Sequence, residues 1–128
     1  MNDFERIQEI ADAAVGRVGN ELTFPFPEVL KVIEFCTARQ IAVLGVELFW
    51  VKADGYYASG SSDYDLREKQ KWPAVKLTDW PEYVSYNNAL AKDCVRRNPL
   101  GDEHVYVLTT ASWTEFCEIH DIKRAGGP

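Results

Sequence analysis

This sequence predicts an α+β domain, a small antiparallel or mixed sheet with helices packed on one face. Three observations carry that expectation. Apolar residues recur at helical spacing in separate segments, divided by charged ones. Two runs rich in β-branched and aromatic residues, IAVLGVELFWVK from Ile41 and HVYVLTT from His104, read as core strands. Between Lys52-Ala53 and Tyr56-Tyr57 stands Asp54-Gly55, a hairpin signal because both turn residues tolerate positive φ. A chain of 128 residues is long enough for one domain with a real core. The expectation is a single domain over residues 1–124 and a disordered tail, Ala125-Gly-Gly-Pro128.

In order along the chain, Phe4, Ile7, Ala11, Ala14 and Val18 fall on one helical stripe. Asn2 with Glu5 forms a capping arrangement, and Gly16 and Gly19-Asn20 weaken and then stop that helix. Pro25-Phe-Pro27 sets an extended entry to a second helix, lined by Val29, Val32, Ile33 and Cys36 and ending near Arg39. The strand from Ile41 to Ala53 carries Gly45, which marks a bulge or a close contact, and it pairs antiparallel with Tyr56–Ser59. Ser61 to Thr78 is polar and irregular, a long loop with a helical turn or short strand at Ala74–Leu77. Asp79 caps a third helix with Pro81 in its first turn, and Tyr83, Tyr86, Leu90, Ala91, Cys94 and Val95 form its buried stripe. Asn98-Pro-Leu-Gly101 ends that helix, His104–Thr110 is the second core strand, and Ser112-x-x-Glu115 is a capping box for a short helix through Ile119.

Composition narrows the function. With 46% apolar and 27% charged residues the chain is globular and not disordered. Its net charge of −6 argues against nucleic acid as a partner, which calls for clustered Lys and Arg, and suits a basic protein partner. The longest apolar run, Ile41 to Val46, is too short to span a membrane, so no membrane partner is expected. Three widely spaced cysteines and a charged N-terminal stretch without an apolar signal core point to a reducing cytoplasm. Cys117 and His120 have a C-x-x-H spacing, yet no second ligand pair accompanies them, and buried helical thiols account better for Cys36 and Cys94.

The stretch SGSSDYDL, Ser59 to Leu66, resembles at first glance the Gly-Ser turn and Asp-x-Asp pair of nucleotidyltransferases. There the two are separated by a helical segment and the carboxylates lie on a hydrophobic strand. Here Gly60-Ser61 runs straight into Asp63-Tyr-Asp65, and the charged tract LREKQK follows. Such a pair lacks the rigidity that metal geometry demands. No nucleophile motif flanks His104 or His120, and there is no phosphate loop or dinucleotide fingerprint. Neither a catalytic residue, a metal nor a cofactor is therefore expected.

Nine of the sixteen aromatic residues lie between Phe49 and Tyr86, too many for the core of a hairpin that alternates faces. Interleaved acids include Glu47, Asp54, Asp63, Asp65, Glu68, Asp79 and Glu82. Aromatic anchors among carboxylates fit a basic protein surface, and Tyr56, Tyr57, Asp63, Tyr64, Asp65 and Trp72 are the candidate partner-binding residues. The order EVLKVIEFCTARQ, IAVLGVELFWVKADG, a variable loop, WPEYVSYNNALAKDCVRRNP and EHVYVLTT resembles a family of small immunity proteins from bacterial polymorphic toxin systems. The likeness covers Pro27 to Thr110; the preceding helix and the extension SWTEFCEIHDIKR depart from the pattern. The resemblance implies a non-enzymatic inhibitor that binds a cognate toxin domain and occludes its active site. The alternative is a small enzyme or ligand-binding protein, with a pocket between sheet and helices where His104, Glu47 and Tyr side chains converge.

Overall fold

The chain folds in the order α1 (Gln8–Ala13), β1 (Gly16–Val18), β2 (Glu21–Thr23), α2 (Glu28–Ala38), β3 (Ala42–Lys52), β4 (Gly55–Asp63), α3 (Trp80–Arg97), β5 (His104–Ala111) and α4 (Trp113–Ile119). This computed structural model describes residues 2–63, 79–97 and 103–119. The class is α+β. Strands β4, β3 and β5 form an antiparallel sheet in that order, and β1 and β2 form a separate hairpin. Immediately after β2, Phe24 exchanges both backbone hydrogen bonds with Tyr106, at 2.9 and 2.8 Å, and so pairs with the outer edge of β5 at that residue.

The helical stripe of α2, Val29, Val32, Ile33 and Cys36, is buried in full. It packs with Ala91 and Val95 of α3 against Val43, Val46, Tyr106 and Leu108, which places α2 and α3 on one face of the sheet. A second cluster closes the end where β3 begins and β5 finishes: Trp80, Tyr83, Trp113 and Phe116 pack their rings around Ala42 and Ala111. Trp80 also donates from Nε1 to the Gln40 carbonyl at 2.7 Å, tying the start of α3 to the end of α2. There Gln40 adopts a left-handed φ of 60° and Ile41 N–H returns to the Cys36 carbonyl at 2.8 Å, the turn that ends many helices.

Several local expectations hold. Asp79 caps α3, its Oδ1 accepting from Glu82 N–H at 3.2 Å. Ser112 and Glu115 form the reciprocal capping box at 2.9 and 3.2 Å. The register of β3 against β5 slips between Val43 and Gly45, as a bulge at Gly45 requires.

Four expectations are corrected. The N-terminal stripe gives a helix of only six residues. Gly19-Asn20 does not stop a helix but turns the β1–β2 hairpin, with Gly19 at φ +59°. Asn2 Oδ1 does accept from Glu5 N–H at 2.8 Å, although the turn it caps lies ahead of α1. In the hairpin, β4 continues to Asp63, opposite Gly45, so Ser61–Asp63 is strand and not the start of a loop. On α3 the buried stripe is Trp80, Tyr83, Val84, Asn87, Asn88, Ala91, Cys94 and Val95, while Tyr86 is exposed and Leu90 half-buried. Two asparagines occupy positions that an apolar template assigns elsewhere. Asn88 is fully bonded, whereas the Asn87 amide finds no partner among the described residues. The expected features at Ala74–Leu77, Asn98–Gly101 and Ala125–Pro128 lie outside the described residues.

Cys36, Cys94 and Cys117 are buried free thiols. Burial pushes the Cys36 thiol up to about 12, far from the thiolate that reacts. Native protein at pH 8 should therefore react slowly with a thiol-selective disulfide reagent. All three thiols should titrate at once after denaturation without reductant. A native disulfide recovered by non-reducing peptide mapping would contradict this.

Candidate functional site: the β3–β4 arm and its adjoining cleft

The pairing of Trp50 with Tyr57 and of Val51 with Tyr56 sets the geometry of the arm. Side chains alternate along a strand, so Tyr56 and Tyr57 lie on opposite faces of β4. Tyr57 stands on the face shared with Trp50 and is 48% exposed. Its hydroxyl donates to Asp54 Oδ2 at 2.8 Å across the turn. Trp50 is flanked by His104, ring to ring at 3.9 Å, and by the Lys52 ammonium at 4.7 Å. Beyond the turn, residues 51–60 are exposed apart from Tyr56.

Tyr56 turns to the opposite face, where its hydroxyl sits against Gly16 in the space a Cβ would fill. It lines a cleft of about 330 Å³ with Val15, Pro25, Phe26, Val51, His104 and Val105. Val105 and Val51 alternate with residues that face α2 and α3, so the cleft lies on the far side of the sheet, at the open end of the β1–β2 hairpin. The His104 ring itself packs on Trp50, on the other face of the sheet, and its Nδ1 is buried without a hydrogen-bond partner among the described residues. Of the three residue types expected to converge, His104 and a tyrosine border this cleft; Glu47 is not part of its lining. Glu47 instead joins an acidic group with Glu5 and Glu21. Partial burial first, then the charges of Glu47 and Glu5, raise the Glu21 carboxyl above its ordinary value.

The acids interleaved with the aromatics do not share one surface. Asp54 is at the arm's tip, Glu47 faces the β1–β2 side, and Asp79 and Glu82 begin α3 at the far end of the sheet. Trp80 and Tyr83 are core, each 1% exposed. Asp63 ends β4 opposite Gly45. Tyr64, Asp65, Glu68 and Trp72 lie outside the described residues, as does His120. Among the described residues no group of three His, Cys, Asp or Glu side chains is placed to hold a metal, and no helix is long and apolar enough to cross a membrane. Comparison with protein-family models, curated proteins and solved structures found no match to this chain.

The Tyr57–Asp54 contact is open to direct test. Donation to the Asp54 carboxylate, followed by a smaller loss of hydration, raises the Tyr57 phenol above its ordinary 10.0. The sign follows: the contact favours the neutral phenol, so its contribution is present below pH 10.0 and is lost as pH rises through the raised folded value. The difference between the ultraviolet titrations of wild type and Tyr57→Phe should show Tyr57 ionising above 10.0, and Asp54→Asn should move that component to lower pH. A titration curve unchanged by Asp54→Asn would contradict the contact.

Proposed function

We propose that this protein is a binding module that neutralises a cognate bacterial toxin domain by protein–protein contact, without catalysis, as immunity proteins do. The observation that carries the reading is the arm itself. A two-stranded projection with exposed side chains over residues 51–60 contributes little to the core, yet it presents Tyr57 and Val51 to solvent. Tyrosine supplies large apolar area with a polar tip at low entropic cost, which suits an interface. The net charge of −6 and the acids at Asp54 and Asp63 favour a partner that is basic at the contact. The resemblance over Pro27 to Thr110 supplies the cellular role. Occlusion of the toxin's active site is the mechanism that such an arm performs with no chemistry of its own.

A second reading, a ligand-binding protein, is favoured by the cleft that Tyr56, His104 and apolar side chains line. The binding module is preferred because one histidine and one phenol without a nucleophile or metal ligand set make a poor catalytic constellation.

Binding kinetics against the toxin domain encoded by the adjacent gene test the proposal. Truncating a central interface aromatic typically costs about 2 kcal/mol. Tyr57→Ala should therefore weaken binding roughly thirtyfold with little change in Tm. Tyr86→Ala, on the outer side of α3, should bind as wild type. Charge reversal at Asp63 and Asp65 should slow association and flatten its salt dependence. If Tyr57→Ala and the reversed variants stay folded and bind as wild type, the arm is not the interface.

A further inference from the structure

We infer that β4 takes up an extended strand of the partner along its outer edge, extending the sheet by β-addition; this rests on the binding-module reading above. The two edges of the sheet differ. The β5 edge is paired at Tyr106 with Phe24, whose N–H and carbonyl are both bonded to it. The β4 edge has no strand neighbour among the described residues. Among the described residues, the backbone from Gly55 to Gly60 makes no hydrogen bond to anything but β3.

Natural edge strands are commonly protected by Lys, Pro, inward charges, bulges or brevity, and β4 has one such device, a bulge. Strand β4 is nine residues long, GYYASGSSD, without a basic residue or a proline. Ala58-Ser-Gly-Ser-Ser62 is a run of small side chains, over which a second backbone can approach closely. The single irregularity is at Ser59, the extra residue between the Phe49–Ala58 and Leu48–Gly60 pairs. An exposed row of backbone donors and acceptors is specific for one class of occupant, an extended polypeptide.

Charge chooses between a second copy and another protein. Antiparallel pairing of β4 with itself places the Asp63 end of one strand beside the Asp54–Gly55 end of the other, at both ends of the ladder. Carboxylates brought close together at both ends of a ladder are unfavourable, and each copy carries −6. A strand carrying Lys or Arg near its ends meets the same positions favourably. The occupant is therefore a basic extended segment of the toxin, with Tyr57 beside the ladder as the side-chain anchor.

Proline at position 59 separates backbone pairing from side-chain contact. The bulged residue stands outside the β3 ladder, so Ser59→Pro is compatible with the fold but disrupts a strand laid along the edge. Ser59→Pro should keep the wild-type Tm and lose affinity for the toxin domain at least tenfold, while Ser59→Ala binds as wild type. Hydrogen exchange on the wild-type complex should show slowed amides within residues 55–63. If Ser59→Pro fails to fold, that exchange measurement decides alone: slowed amides uphold the edge and unchanged ones overturn it. Wild-type affinity in a folded Ser59→Pro overturns strand addition and leaves the binding-module reading standing. A wild-type protein that does not bind the toxin domain overturns both. Sedimentation showing self-association abolished by Ser59→Pro assigns the edge to a second copy and overturns the inference.

Discussion

One buried side-chain amide, Asn88, ties the middle of α3 to the end of α2 and to the entry of β3. Its Oδ1 accepts from Val43 N–H at 2.7 Å, and its Nδ2 donates to the Ile41 carbonyl at 3.0 Å and to Thr37 Oγ1 at 2.9 Å. Thr37 in turn donates to the Ile33 carbonyl at 2.9 Å, inside α2. The middle of α3, the end of α2 and the entry to β3 are thereby held in one register. The site is also where β3 slips against β5, so the amide gives a bulged backbone the partner that the ladder withholds. Apolar packing of Val32, Val46, Ala91 and Leu108 provides most of the driving force. It is non-directional, and hydrogen bonds to a bulge are not.

The two ends of the sheet consequently differ in kind. At the entry to β3, the Asn88 bonds, the Trp80–Gln40 bond and the aromatic cluster of α3 and α4 fix positions tightly. At the other end the arm is held by its own ladder, the Trp50–His104 contact and the Val51 N–H bond to the Glu103 carbonyl at 2.6 Å. Few buried apolar contacts leave a segment near the low end of local stability. Such a division is what the proposed binding function calls for: a rigid body orients an arm whose tyrosine is exposed.

Legibility in the sequence followed the locality of the signals. The hairpin at Asp54-Gly55, the caps at Asp79 and Ser112, the bulge at Gly45 and the stripe of α2 each rest on a few neighbouring residues, and each was readable. The N-terminal segment misled because Gly19-Asn20 serves equally to stop a helix or to turn a hairpin. Pairing of Phe24 with Tyr106, remote in sequence, selects the second. On α3, the positions 80, 83, 84, 87, 88, 91, 94 and 95 keep perfect helical spacing. The stripe was hidden because Asn87 and Asn88 count as polar in any hydropathy pattern. At the candidate site, the aromatic density between Phe49 and Tyr86 was visible, but its division was not. Trp80 and Tyr83 are core, Tyr56 and Tyr57 face opposite ways, and only strand register decides such matters.

Asn87 and Asn88 offer the most direct test of the clamp, since both are buried, adjacent and on the same helix. Asn88→Leu removes the partners of the Val43 N–H and the Ile41 carbonyl, at about 1–3 kcal/mol for each orphaned group. Asn87→Leu removes an amide that has no partner among the described residues, and should be neutral or stabilising. Urea unfolding of the two variants, with hydrogen exchange at the Val43 amide, reads the difference. The account predicts a loss on the order of 2–6 kcal/mol and faster Val43 exchange in Asn88→Leu alone. Equal stability of the two variants, with Val43 still protected in Asn88→Leu, would contradict it.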